Sequence, residues 1–386
     1  MIDYRRAGRL PDKPHTVFRA PDGRLYHEHC FTRDGFDGPF SILYHERPPQ
    51  AHGGAEAVAP LWAPRVAVEA GPLRRHHLLS QALAPGGSPA TGRVPLLFNG
   101  DLTVGVARPT EDDPSWLANG DGDDLFFVLA GGGELLSWFG RLRFGSGDYV
   151  CVPRAVAHRF VLDGGAQHWL WVECRSGLRV LNQYRNGCGQ LRMDAPYTHR
   201  DFRAPVLEPV GGPRELVSKR ADRFTRHLPD GDVADVVGWD GVVWPFAFHI
   251  SRFSPKAGQV HLPPTVHGTF ATGGSLICSF VPRVVDFGAG AIPCPYPHSN
   301  VQVDEVLFYC DGDFTSRRGV SAGSLSLHPA GVPHGPHPGA YEISIGVREV
   351  RELAVMIDTF EPLALTAAGQ GIDSPTYDDT FAGGAA

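Results

Sequence analysis

No apolar run in this 386-residue sequence approaches the ~18 residues that a membrane-spanning helix needs. Basic residues hold no excess: 35 Lys and Arg stand against 42 Asp and Glu, so no positive footprint points to nucleic acid. The seven cysteines (Cys30, Cys151, Cys174, Cys188, Cys278, Cys294 and Cys310) contain no C-x-x-C pair. Their odd number and wide spacing suit reduced thiols rather than a disulfide framework. The stretch after Met1 lacks the hydrophobic core that a secretory leader carries behind its charges. A soluble, cytoplasmic protein without membrane or nucleic-acid partners is expected. Long helical patterns are also scarce.

In their place stand 47 glycines, 34 prolines and an aromatic content of 10%, the profile of short strands joined by many turns. The expected class is all-β, and the length allows two or three domains. Turn signals at residues 21–23, 34–35, 37–38 and 85–87 divide the first 110 residues. Residues 40–45 and 94–98 are the clearest strands there, with a shorter one expected at 66–72. Residues 169–174 read as another strand. The mixed-charge segment 214–224 is open between strand and short helix.

One stretch carries a denser pattern. Residues 298–312 read H-x-N-x4-E-x6-G, with His298, Asn300, Glu305 and Gly312 as the fixed points. Residues 323–334 read G-x5-P-x-G-x2-H, from Gly323 through Pro329 and Gly331 to His334. Together these halves resemble the paired motifs of the cupin superfamily, with Asn300 where many cupins place a second histidine. Apolar residues flank Glu305, as on a buried barrel strand, and the turn at residues 329–331 lets His334 point back inward. If they converge, His298, Glu305 and His334 supply two imidazoles and a carboxylate and leave positions open, the arrangement of non-haem Fe(II) oxygenases. A filled four-ligand set would instead suit structural zinc.

A weaker echo of the pattern lies upstream. Asp124 to Gly131 repeats the acid-x6-G shape, and residues 147–158 read G-x5-P-x-A-x2-H. Two copies of one pattern argue for two related barrels in tandem. No histidine occurs between Gly100 and Ala157, which leaves Asp124 and His158 as possible ligands; the first barrel is read as a degenerate, metal-free partner. The expected division is a β-rich N-terminal domain with the degenerate barrel over 1–230, a metal-binding barrel over 231–370, and a small, acidic surface tail over 371–386.

Three further residues have candidate roles. His267 follows a Pro-Pro turn, and an imidazole with an ordinary pKa near ~6.5 suits proton removal from a phenol. His328, six residues before His334, is a candidate partner of a ligand or a substrate contact. Tyr296, two before His298, is placed to line the pocket.

The likeness reaches beyond the motif. The segments 13–23, 42–45, 184–191 (Tyr184, Arg185, Asn186, then Gly189, Gln190, Leu191) and 235–241 (D-V-V-G-W-D-G), with Pro245, resemble the homogentisate 1,2-dioxygenase family, as do 298–305 and 328–335. The resemblance spans most of residues 1–350. It implies a bicupin with Fe(II) held by His298, Glu305 and His334 and with His267 as catalytic base; His334, like the candidates His328 and Tyr296, is expected at the substrate. It further implies ring opening of 2,5-dihydroxyphenylacetate by O2 to 4-maleylacetoacetate in tyrosine and phenylalanine catabolism, by a homo-oligomer, trimer or hexamer. Two departures stand out. The gap from His298 to Glu305 is one residue longer than in some members, which puts Asp304 in competition for the carboxylate. The family's substrate-contacting tyrosine is Phe314 here, which points to a related hydroquinone or gentisate-like phenol as the alternative substrate. A non-enzymatic bicupin and a metal-dependent isomerase are the remaining rivals.

Overall fold

A computed structural model of the chain describes residues 2–69, 71–257, 264–285, 288, 290–314 and 317–382. The protein is built from β-strands, as expected, with helices of no more than five residues among the described ones. Three large sheets stack in order. A seven-stranded sheet, running from Gly140–Gly145 to His52–Val58, covers one face of an eight-stranded sheet centred on Asp123–Ala130 and His168–Cys174. The other face of that central sheet packs against a second seven-stranded sheet containing Ser275–Phe280, Leu353–Thr359, Asp304–Asp311 and Leu325–His328. This is the tandem cupin arrangement.

The continuous apolar run over residues 125–130 of that strand follows from its position, because a strand covered on both faces needs no polar alternation. Successive side chains point to opposite faces. Phe126 meets Phe160 and Trp169 in the first barrel at ring separations of 5.1 and 5.8 Å. Phe127, one residue on, meets Phe308 of the second barrel. Tyr149 likewise crosses the interface, its hydroxyl 2.9 Å from the Ser279 hydroxyl.

Strands distant in sequence complete each sheet. His76–Leu78 forms the edge beside Leu325–His328, and Arg179–Val180 the opposite edge. Ala364–Leu365 returns to pair with Arg93–Phe98 beside the first barrel. A separate four-stranded sheet joins Arg5–Gly8, Val236–Gly241, Phe40–His45 and His27–Thr32. Residues 40–45 and 94–98 form strands as expected, and 214–224 resolves into two, Leu216–Arg220 and the start of Arg223–Pro229. Among the described residues of the stretch 66–72, the pairing is a bridge from Ala67 to Thr366.

The repeated motif is repeated in backbone shape. Gly131 and Gly312 both sit at φ 90°, and Gly147 and Gly323 at 86° and 85°. At Gly312 an added Cβ would lie 1.8 Å from the Arg351 carbonyl oxygen, so only glycine ends that strand. Gly331, at φ 82°, has Ala155 as its counterpart, held at φ 64°. A side chain in the left-handed region costs about 1 kcal/mol, so Ala155→Gly should raise stability by about 0.5–1 kcal/mol. Denaturant unfolding would show it as a higher midpoint at unchanged slope; a lower midpoint would mean that the Ala155 methyl contributes packing instead.

Several buried histidines shape the pH response of the fold. Burial lowers His29 to about 4, assisted by neighbouring His45, and lowers His168 to about 4, assisted by Arg108. Burial lowers His267 to about 3. In each case the unfolded chain binds a proton near ~6.5 that the folded chain refuses until lower pH. Stability is therefore expected to rise with pH from about 4 to ~6.5 and to level off above. Thermal melts at pH 5 and pH 7 check this, and His168→Gln should flatten the dependence; a melting temperature equal at both pH values would contradict it.

Candidate metal centre

The hairpin that builds the site closes by a two-residue bridge. His298 N–H donates to the His334 carbonyl at 2.7 Å, and His334 N–H donates back to His298 at 2.8 Å. Gly331 N–H adds a bond to the Asn300 carbonyl at 2.8 Å. This bridge answers the long interval between His298 and Glu305: residues 299–303 turn the chain before Asp304–Asp311 begins. His298, Glu305 and His334 each then present a ligand atom, all within 4.8 Å of one another.

The adjacent acids Asp304 and Glu305 occupy opposite faces of their strand. Asp304 points away and accepts backbone N–H bonds from Ala330 at 2.7 Å and Leu363 at 2.8 Å. Glu305 points to the histidines. Burial alone would raise its carboxyl, but the bond from His328 and the positive groups around it hold it down at about 2. It is ionised at any ordinary pH, as a metal ligand must be.

The donor set fits a metal ion. His334 Nδ1 lies 2.9 Å from the Val332 carbonyl oxygen and donates to it, which leaves the lone pair on Nε2. That Nε2 is buried and has no hydrogen-bond partner among the described residues. A buried acceptor left in this state is costly unless something binds it. His298 Nδ1 is held more loosely, 3.3 Å from the Tyr296 carbonyl. The Tyr296 side chain itself is 43% exposed.

Behind Glu305 lies a chain of partners. His328, opposite Glu305 in the strand register, donates from Nδ1 to the carboxylate at 2.8 Å. Its Nε2 lies 3.3 Å from the Tyr377 hydroxyl. Burial and the nearby Arg317 lower His328 to about 4, so it is a neutral donor that fixes Glu305. Both ring nitrogens are occupied, which fits a ligand's partner better than a substrate contact. Tyr377→Phe should weaken metal affinity by up to about tenfold while leaving the fold intact, read by chelator competition. Unchanged affinity would confine Tyr377 to packing.

Tyr377 corrects the expectation of a surface tail over 371–386. Residues 373–381 dock beside the site. Asp373 takes His76 at 2.7 Å and Arg74, Asp378 pairs with Arg75 at 2.9 Å, and Phe381 stacks on His337 at 3.9 Å. Tyr377 is 2% exposed. A small, acidic composition hides this because the partners are basic residues some 300 positions upstream. Residues 383–386 lie outside the described part.

His267 ends a single 3-10 turn, Pro264–His267, and is buried against Phe280 with ring centroids 4.3 Å apart. Leu262 and Pro263 of its motif lie outside the described residues. The strand after His267 is separated from the Glu305 strand by two others in the sheet. Its expected pKa near ~6.5 is corrected to about 3, first by burial and then by the charge of Arg283. Its Nδ1 is buried without a hydrogen-bond partner among the described residues. Beside it opens a cleft of about 200 Å³, lined by Tyr184, Arg192, Lys256 and Val266 among others. This cleft lies on the His267 side and not over the three ligands, whose chemistry is the better guide to the site.

The echo in the first barrel has the same ring geometry and a different occupant. His158 Nδ1 lies 2.9 Å from the Val156 carbonyl, and its Nε2 is buried without a hydrogen-bond partner among the described residues, as in His334. Asp124, however, accepts from Arg93 at 3.0 Å and from Trp171 at 2.9 Å. The Arg93 guanidinium lies over Trp62 and Phe126, 4.7 and 5.0 Å from the ring centres, and supplies the positive charge there. Arg317 and Tyr377 are the neighbours of the metal centre that sequence reasoning did not single out.

Fold and donor set together define a bicupin with a two-histidine, one-carboxylate centre in its second barrel. No protein-family model matches the chain. A Saccharolobus solfataricus protein provisionally named as a dioxygenase is 34% identical over 98% of both chains, and this chain belongs to its family. Homogentisate 1,2-dioxygenase of Rhodopseudomonas palustris strain BisA53 is 26% identical over 89% of this chain and 82% of its own. The solved structure of protein Ylba from E. coli covers 77% of this chain and 94% of its own at 11% identity, with a TM-score of 0.35. Among the described residues no helix is long and apolar enough to cross a membrane.

Proposed function

We propose that the chain is an Fe(II)-dependent, ring-cleaving dioxygenase in which His298, Glu305 and His334 hold the metal. The observation that carries this is the three-ligand cluster in a chain that matches a named dioxygenase end to end. The substrate we favour is homogentisate, opened by O2 to 4-maleylacetoacetate in tyrosine and phenylalanine breakdown, on the weaker but extended match to homogentisate dioxygenases. The alternative is a related hydroquinone or gentisate-like phenol. Phe314, which packs edge-on against Tyr309 at 4.9 Å, favours that alternative because it offers no hydroxyl to a ring substituent.

Bound iron would supply positions where an aromatic substrate's oxygen and O2 meet. The chain's own residues do the rest. Glu305, fixed by His328, supplies the anionic ligand. His267, neutral and buried, is the proposed proton acceptor for a substrate hydroxyl. Tyr296 remains a proposed neighbour of the substrate, as does His334 beside the metal, while His328 acts behind Glu305. Assembly as a homo-oligomer and a cytoplasmic site of action complete the reading.

Product analysis decides the substrate. Iron-loaded protein is supplied with homogentisate and, separately, gentisate, and the ring-opened product is followed by absorbance and mass. Product from homogentisate alone supports the favoured reading. Product from gentisate alone transfers the assignment to the alternative.

A further inference from the structure

We propose that Arg317 forms a subsite for an anionic substituent, a carboxylate, on the aromatic substrate. This rests on reading the site as one for a phenol and names what else that phenol must carry. The Arg317 side chain is 7% exposed, and its guanidinium faces the metal centre. One terminal nitrogen donates to the Gly335 carbonyl, and the other reaches Glu305 Oε1 at 3.4 Å. Its Nε is buried and has no hydrogen-bond partner among the described residues.

In the protein without a metal, Glu305 is the carboxylate that Arg317 contacts, and the pair is long for a charge-assisted bond. A divalent ion at His298, Glu305 and His334 would draw on that same carboxylate. The centre then holds a divalent cation and a guanidinium against one carboxylate, a surplus of positive charge in a buried place. Asp358 lies opposite Glu305 in the strand register and is a further carboxyl group among the described residues. A neutral phenol would leave the surplus standing; a ligand bearing a carboxylate would cancel it and give Nε a partner. Arg283, the cation near His267, offers no such opening, because Glu352 already pairs with it at 2.8 Å. A planar guanidinium with an unused N–H also matches a carboxylate's geometry.

The test compares two ligands that differ only in the carboxylate, 2,5-dihydroxyphenylacetate and 2,5-dihydroxytoluene. Each is titrated calorimetrically into the iron-loaded, oxygen-free full chain and into its Arg317→Met and Arg317→Lys variants, with metal content measured alongside. The native protein should bind the acid about 10- to 100-fold more tightly than the toluene. Arg317→Met should lose that preference with its iron retained, and Arg317→Lys should keep part of it. A native protein without the preference, or an Arg317→Met variant that keeps it, overturns the proposal. Arg317→Lys and the native comparison still decide if Arg317→Met does not fold. Oxygen uptake with both phenols separates the two claims. Uptake without any preference for the acid sinks the Arg317 subsite and leaves the dioxygenase standing. A preference lost in Arg317→Met, with no uptake from either phenol, supports the subsite and sinks the dioxygenase.

Discussion

Glu305→Ala is expected to lose bound iron and oxygen uptake together, with activity down by well over the ~100-fold that loss of an outer partner costs. Three effects combine at this one position. The carboxylate is the only anionic member of the cluster. It also receives the His328 N–H, so its removal strands a buried donor. It is finally the anion beside the Arg317 guanidinium, which would be left without its contact. Asp304→Asn is the informative control, since Asp304 accepts only backbone bonds and serves the turn. It should cost stability through the Ala330 and Leu363 contacts and leave metal stoichiometry intact. Metal analysis of both purified variants checks this, and full iron in Glu305→Ala would show that the ligand set is wrong.

His267→Ala should behave in the opposite way, keeping its iron and losing turnover by about 10²- to 10⁴-fold. The imidazole is buried, neutral and lowered to about 3, so it is always in the form that accepts a proton. A free phenol near ~10 would not surrender a proton to so weak a base. Transfer to His267 therefore requires that the substrate hydroxyl be acidified within the site. Consequently the variant's deficit should shrink for ring-substituted substrates whose hydroxyl is already more acidic. Iron content with steady-state rates across such a series checks the role. Turnover equal to that of the native protein would remove His267 from the reaction.

The parts of the fold and site legible in the sequence were those set by local spacing. The acid-x6-G and G-x5-P patterns require glycine at particular left-handed turns, and Gly131, Gly147, Gly312 and Gly323 all adopt positive φ. That constraint made the tandem barrels and the place of Glu305 readable, since counting back from Gly312 selects Glu305 over Asp304. What was hidden depends on long-range pairing. Nothing local announces that His76–Leu78 edges the metal-bearing sheet, or that Arg317 reaches Glu305. Tyr377 reads as part of a fraying end because its contacts, with His328 and His77, come from elsewhere in the chain. The His267 pKa was misjudged for a related reason: a histidine in a turn reads as solvated until Phe280 and Arg283 are seen around it.

The most direct test is oxygen uptake by full-length protein loaded anaerobically with Fe(II), begun by adding homogentisate and repeated with His334→Ala. The account requires uptake of one O2 per phenol consumed in the native protein and none above background in the variant, which should also fail to hold iron. Uptake that persists in His334→Ala, or a native protein that holds iron at His298, Glu305 and His334 yet consumes no oxygen with homogentisate or any related phenol, would contradict it.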